Sequence, residues 1–312
     1  VFELERVQFA KDSPMRSINR LSSRLTCRII GHAYDLALRR FPAVVRIETT
    51  NACNARCTIC PHSKIERPIQ RMEDDLFTRI IDECAQGGCR EVHLHNFGEP
   101  LLDKQLEDRV RYAKGKGLSK VKIFSNGSLL SKARARGLMQ AGLDEIKVSL
   151  DGATREEFER IRVPLKFDGV IENVRGLVAL RNEMGSPLRI RIACCSTTDK
   201  ESTMRSLERL VDGFSFGRIH NWASEGYSNG HGKIRKPCSR LWRTLTILAD
   251  GAVALCCLDY DCRIPLGRLQ EGTSIREVWT NPAYREVRTL HKEARQSEIS
   301  LCRHCTKSFL QS

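Results

Sequence analysis

From Ala43 onward, short runs rich in Val and Ile alternate with longer stretches whose apolar positions recur every three or four residues. This alternation predicts strands over 43–50, 91–96, 120–124, 145–150, 188–195 and 217–223. Between them it predicts helices over 75–87, 104–116, 131–141, 154–162, 168–184 and 200–212. Gly87-Gly88, Gly115-Lys116-Gly117 and Gly142 stop three of these helices. Strand followed regularly by helix implies a parallel sheet with crossover helices. Six such units are too few to close an eight-stranded barrel, so the expected fold is α/β, a partial (β/α)6 barrel over residues 43–229. Residues 1–42 are basic, with Leu21, Leu25, Ile29 and Ile30 at helical spacing. They predict a helical extension that packs those side chains against the main domain or a partner. After residue 230 the alternation stops. There Thr244–Leu248 and Ala252–Leu255 flank Asp250-Gly251, a hairpin signal, and helices follow over 274–279 and 282–294.

Composition then narrows the function. The 312 residues carry 14 cysteines and a formal charge of +14. No run approaches 18 apolar residues and no apolar leader opens the sequence, so a cytoplasmic protein without membrane contact is expected. Cysteines in such a compartment point to metal rather than disulfides. The positive charges are spread along the chain and aromatic residues are few, which argues for a solvated basic surface and against nucleic acid. Cys27, Cys84 and Cys89 stand outside any ligand spacing and read as packing residues.

The sharpest signal is Cys53-Asn54-Ala55-Arg56-Cys57-Thr58-Ile59-Cys60, directly after the first predicted strand. Three thiols at this spacing can hold three irons of a cubane and leave the fourth open. A zinc knuckle on a nucleic-acid binder, with His62 as the fourth ligand, is the competing non-enzymatic reading. Downstream strands end in Asn96-Phe97-Gly98-Glu99-Pro100, in Ser125-Asn126-Gly127 and in Ser149-Leu150-Asp151-Gly152. The zinc reading explains none of these.

Together these stretches resemble the radical S-adenosylmethionine (SAM) superfamily over about residues 43–225. The resemblance implies a [4Fe–4S] cluster on Cys53, Cys57 and Cys60 whose open iron chelates SAM. It also implies SAM contacts from Gly98, Glu99, Pro100, Ser125, Asn126, Ser149 and Asp151, with Arg162 as a candidate for the SAM carboxylate or a solvated helix arginine. Gly98 suits close backbone approach, Glu99 the ammonium, and the short polar side chains the ribose and carboxylate. The residue before the third cysteine is usually aromatic in this superfamily; here it is Ile59.

Residues 230–312 hold Cys238, Cys256 and the pair Cys302-Arg303-His304-Cys305. Four thiolates close a cubane, as they also close a structural zinc site. The spacing resembles the SPASM/twitch extension of radical SAM enzymes, which implies an auxiliary [4Fe–4S] cluster on Cys238, Cys256, Cys302 and Cys305. Cys257 adjoins one ligand, and Cys262 lies in a loop beyond it. On the fifth strand, period-2 alternation sends Ile190, Ile192 and Cys194 toward the helices and Arg191, Ala193 and Cys195 into the barrel. A thiol at that rim, Cys195 or else Cys262, can donate a hydrogen atom. The expected function is therefore hydrogen abstraction from a carbinol of a small polyhydroxylated molecule, of aminoglycoside or aminocyclitol type, ending in epimerisation. Dehydrogenation to a ketone, with the auxiliary cluster as electron acceptor, is the alternative, and peptide maturation is a third. An electron donor such as flavodoxin or ferredoxin is the implied partner.

Overall fold

A computed structural model describes residues 14–38, 40–195, 199–207, 210–217, 219, 220, 222 and 234–305. The strands are β1 (Val44–Ile47), β2 (Glu91–His93), β3 (Lys120–Ser125), β4 (Glu145–Ser149), β5 (Arg189–Cys195), β6 (Phe214–Gly217), β7 (Thr244–Ile247), β8 (Ala252–Ala254) and β9 (Pro265–Arg268). The helices are α1 (Pro14–Leu36), α2 (Asp74–Gly87), α3 (Leu106–Gly115), α4 (Lys132–Gln140), α5 (Arg155–Ile161), α6 (Phe167–Met184) and α7 (Lys200–Leu207). Then come α8 (Arg240–Arg243), α9 (Ile275–Thr280), α10 (Pro282–Lys292) and α11 (Ser300–Arg303). The chain divides into two compact units, one of residues 41–219 and 244–278, the other of residues 1–40, 220–243 and 279–312.

The first of these units carries a single sheet in the order β6-β5-β4-β3-β2-β1-β7-β8-β9. The six strands β1 to β6 are parallel neighbours in chain order, the expected α/β arrangement. Strand β7 pairs in parallel with β1, and β8 and β9 follow antiparallel, so the expected hairpin continues the barrel sheet. Alternation decides the two faces. Val45, Ile47, Val92, Val121, Ile123, Ile146, Val148, Ile190 and Ile192 are fully buried. Val148 lies against α6: a Cβ on Gly127 would meet Val148 Cγ1 at 2.8 Å and Val170 Cγ1 at 3.1 Å. Each such side chain contributes about 1.5–3 kcal/mol by leaving water. The opposite face is polar: Arg46, His93 and Lys122 lie in register across β1 to β3, and Lys147 pairs with Arg191 across β4 and β5.

Helix ends follow their local chemistry. Ser131 accepts from the Arg134 amide at the start of α4, and Thr154 from the Glu157 amide at the start of α5. Helix α2 stops at Gly88, which takes the left-handed conformation at φ 71°. The sixth strand differs from expectation. It runs over Phe214–Gly217, not 217–223, because Phe214 and Phe216 pair with Ile192 and Cys194 and supply the alternation. Ile219 and His220 lie outside the strand, and residues 218, 221 and 223 are outside the described residues.

In the other unit, α1 packs on α10. The expected apolar stripe is not the packed one. Leu21, Leu25 and Ile29 are 71%, 63% and 62% exposed, whereas Ser23, Cys27 and Gly31 are buried. Gly31 sits where the two helices approach closely, since a Cβ there would come within 2.5 Å of Lys292 Cγ; Ser23 accepts from the Arg235 amide at 3.0 Å and Cys27 Sγ lies 3.5 Å from Arg235 O. Asp35 near the end of α1 ties it to both α8 and α10. Asp35 accepts from Trp242 Nε1 at 2.8 Å and from Lys292 Nζ at 2.7 Å. No helix of the described residues is long and apolar enough to cross a membrane.

Candidate active site

Strand β1 ends at Ile47, and the chain continues through buried Glu48, Thr49, Thr50 and Asn51 into the cysteine loop. Backbone bonds pin that loop from outside: the Arg56 amide donates to Val163 O at 2.6 Å and the Thr58 amide to Ile161 O at 2.9 Å. The Cys60 amide donates back to Cys57 O at 3.0 Å, closing the C-x2-C turn. Burial pushes the Cys53 thiol up to about 11; the Ala55 amide opposes this, while Glu99, Cys57 and Cys60 add to it. Cys57 and Cys60 are also raised by burial, against the pull of Arg162. Three half-buried thiols that penalise one another's ionisation suit ligands whose negative charge is taken up by metal.

The loop after β2 lies directly on this backbone. Gly98 has φ 91°, and a Cβ there would sit 2.7 Å from the carbonyl oxygens of Thr50 and Ala52. The Glu99 amide donates to Ala52 O at 2.8 Å. The buried Glu99 carboxylate accepts from Leu101 N at 3.1 Å, Ser125 Oγ at 2.8 Å and Asn126 N at 2.7 Å. A carboxylate has about four acceptor positions, so one remains for a cationic ligand group. Burial raises its pKa despite those three donors. Ser125 is therefore engaged with Glu99, and Pro100 is buried in the short 3-10 turn that follows.

Asn126 fastens the cysteine loop. Its Nδ2 donates to Asn54 Oδ1 at 2.9 Å, while its Oδ1 accepts from Ser128 N at 3.0 Å and Ser128 Oγ at 2.7 Å. Asn54 Nδ2 completes the ring by donating to Ser128 Oγ at 2.9 Å. Sequence reasoning missed Asn54 and Ser128; an amide beside the first cysteine was the available signal. It also missed Arg67, which grips the fully buried Glu48 through both terminal nitrogens at 2.6 and 2.7 Å and donates to Tyr260 O at 2.6 Å.

At the end of β4, Asp151 links two further elements. Its Oδ1 accepts from the Cys195 amide at 2.5 Å. Its Oδ2 pairs with Arg162, whose Nε lies at 2.8 Å. Arg162 caps α5 and is not the solvated helix arginine that its sequence context allowed: its side chain is 15% exposed. Burial works against its charge, and Asp151, Cys57 and Cys60 outweigh burial. Ser149 is half-buried and pairs across the sheet with Ala193. Cys195 ends β5, 6% exposed.

The remaining cysteines fall in both units. Cys256, Cys257 and Cys262 belong to the barrel unit. Cys256 Sγ accepts from Leu258 N at 3.4 Å. Cys262 has φ 54°, and its side chain packs on Leu248 and the small residues Ala252 and Ala254 of the hairpin. Burial, with Asp259 and Asp250, pushes its thiol up to about 12. Cys238, Cys302 and Cys305 belong to the other unit. There the Cys238 amide donates to His291 Nδ1 at 3.3 Å, and the Cys305 amide to Cys302 O at 3.2 Å. Arg235 donates to Cys302 O at 3.4 Å and to Arg303 O at 2.9 Å.

The first thiol set fits a cubane with one open iron. His62 Nε2 donates to Asn51 O at 2.7 Å, and the zinc reading leaves the Glu99, Asn126 and Asp151 network around the loop without a role. Among the described residues no three His, Cys, Asp or Glu side chains close on one metal ion, and a cubane needs no such convergence, since each thiolate binds its own iron.

Comparison with known proteins agrees with this chemistry. The model of the radical SAM superfamily matches residues 47–213, and that of the SPASM iron–sulfur cluster-binding domain matches residues 238–306. These matches imply SAM, its [4Fe–4S] cluster and an auxiliary iron–sulfur cluster. The chain is 35% identical over 179 residues to a probable GTP 3',8-cyclase of Methanopyrus kandleri, covering 56% of this chain and 55% of that protein. It is 37% identical over 138 residues to the GTP 3',8-cyclase of Chlorobaculum tepidum, covering 43% and 41%. It thus spans about half the length of these curated relatives. Among solved structures, BtrN in complex with AdoMet and 2-DOIA aligns with a TM-score of 0.61 at 17% identity, over 86% of this chain and 94% of that one. Streptococcus suis SuiB bound to precursor peptide SuiA aligns at 0.64 and 13% identity, over 93% and 75%. At such identities the likeness is one of fold.

Proposed function

The chain belongs to the radical SAM superfamily, and from that premise we propose that it epimerises a carbinol carbon of a small polyhydroxylated substrate, with Cys195 as hydrogen donor. Bound to Cys53, Cys57 and Cys60, the reduced cluster with SAM supplies a carbon radical that removes the substrate hydrogen. The chain's own residues do the rest. Glu99 offers its free acceptor position to the SAM ammonium, and Gly98, whose missing Cβ makes room for the Thr50 and Ala52 carbonyls rather than for a ligand, lets the cysteine loop lie against this turn. Asn126, through Asn54, holds the cysteine loop in place. Cys195 gives its S–H hydrogen to the opposite face of the carbon. The sulfur is then restored by one proton from solvent and one electron from a donor such as flavodoxin or ferredoxin. The auxiliary cluster takes Cys238, Cys256, Cys302 and Cys305, an assignment that rests on their spacing and on the match over 238–306.

One observation carries this reading. The Cys195 amide is bound to Asp151, Asp151 to Arg162, and Arg162 lies beside Cys57. The candidate donor is thus tied by two side chains to the loop where the radical begins. Turnover in deuterated water tests it. One solvent deuterium should appear at the inverted carbon, and Cys195→Ala should abolish the epimer while SAM is still cleaved. Unchanged epimerisation by Cys195→Ala removes that residue from the role, and a ketone product makes the enzyme a dehydrogenase.

A further inference from the structure

The polar face of the barrel sheet bears a charge pattern that the reaction above does not use. Arg46 on β1, Lys120 and Lys122 on β3, Lys147 on β4 and Arg191 on β5 alternate with the buried aliphatic residues that face the helices. Two carboxylates share that face, Glu91 and Glu145. Glu91 is taken by Lys122 and by His93 at 2.9 Å; Glu145 lies 3.1 Å from Lys120 and 3.9 Å from Lys147. Glu48, just past the end of β1, is held by Arg67. The carboxylates are therefore committed mainly to Lys120, Lys122 and His93, and positive charge remains on Arg46, Lys147 and Arg191.

Several buried groups on this face also lack partners. Arg46 Nε and Arg191 Nε are buried without a hydrogen bond, although Arg191 donates through a terminal nitrogen to Phe214 O at 3.3 Å. His95 is 5% exposed, and its ring stacks on Phe124 at 4.3 Å beside the Lys122 backbone. Burial lowers the pKa of Lys147, and Lys122 and Arg191 lower it further against Glu145. A buried polar face with surplus positive charge and unsatisfied donors is completed by an anion.

We propose that the substrate carries a phosphate or carboxylate group, held on this face by Lys147 and Arg191, cross-strand neighbours on β4 and β5. The inference rests on the radical SAM reading and gives its substrate a charge class. It replaces the aminoglycoside expectation, because a polyamine would meet the same face as a like charge. Four residues of strand put Arg191 about 13 Å below Cys195 on one face of β5. The arginine side chain and a sugar bearing its anionic group at one end together span that distance, which leaves the reacting carbon at the rim.

Calorimetric titration of the anaerobically reconstituted enzyme with SAM tests this, using glucose phosphate, glucuronate, glucose and kanamycin as probes. At least one anionic sugar should bind about tenfold or more tightly than glucose, and Lys147→Gln and Arg191→Gln should each cost about tenfold for that ligand alone. Cluster absorbance and circular dichroism report whether each variant is folded, and wild-type selectivity decides if one is not. Equal binding of anionic and neutral sugars, or tighter binding of kanamycin, overturns the proposal. The tighter anion shows whether the group is phosphate or carboxylate. Loss of SAM cleavage by an enzyme that still selects anions defeats the premise instead.

Discussion

The chain builds the same C-x2-C turn twice and surrounds it differently. In Cys57–Cys60 and in Cys302–Cys305 the second cysteine amide donates to the carbonyl of the first, at 3.0 and 3.2 Å. Each turn is faced by a half-buried arginine, Arg162 in the barrel unit and Arg235 in the other. Arg162 is bound to a carboxylate, Asp151, whereas Arg235 spends two of its donors on the carbonyls of Cys302 and Arg303. Positive charge is thus balanced by an acid at the first turn. At the second, the thiols of Cys302 and Cys305 support the arginine's charge against burial. A cubane held by four thiolates carries one more negative charge than one held by three, so the difference matches an open first site and a closed second one.

Removing ligands should break the comparison most completely. Cys57→Ala should abolish SAM cleavage, whereas Cys302→Ala should keep it and lose only product. Iron analysis should fall from about eight to about four per chain in either variant. The arginines come next. Arg162→Met leaves the buried Asp151 uncompensated and should cost about 3–5 kcal/mol in denaturant unfolding. Arg235→Met abandons two carbonyls and should cost about 1–3 kcal/mol. It should also lower the auxiliary cluster's potential in a redox titration followed by electron paramagnetic resonance, an effect that a purely structural role would not give.

Acid acts on both sides, since burial holds His291 of the other unit down at about 3, and the barrel side is read through His93. Burial, with Arg46 and Lys122, holds His93 down at about 4 against the pull of Glu91. The unfolded chain therefore takes up this proton first. The penalty is absent above pH 6.5 and grows as pH falls toward 4, by about 2 kcal/mol between pH 6.5 and 5. His93→Gln should remove that share of the slope and leave the shares of buried His95 and His291. The smallest effect belongs to the other unit: Leu25→Ser on the exposed side of α1 should stay within about 0.5 kcal/mol by thermal unfolding.

That last residue shows where the sequence misleads. The period of Leu21, Leu25 and Ile29 announces a helix but not which face is covered; Gly31 meets α10, and Ser23 and Cys27 meet Arg235 and Gln296. Strands β1 to β5 were legible because their inward and outward residues differ so sharply. Strand β6 was misplaced because the apolar content after Gly217 outweighed the short alternation of Phe214 and Phe216. At the site, cysteine spacing and strand-end motifs named the elements correctly. The pairing of Glu99 with Ser125, Asn126 with Asn54, and Asp151 with both Arg162 and Cys195 depends on contacts 11 to 72 residues apart, which no local pattern encodes.

The central claim is that the first cysteine loop holds an open cluster that cleaves SAM. Purified without oxygen, reduced with dithionite and given SAM, the protein should be brown and release methionine and deoxyadenosine. Cys302→Ala should do the same and Cys57→Ala should release none. A colourless zinc protein, or a brown one that leaves SAM intact, would contradict the account.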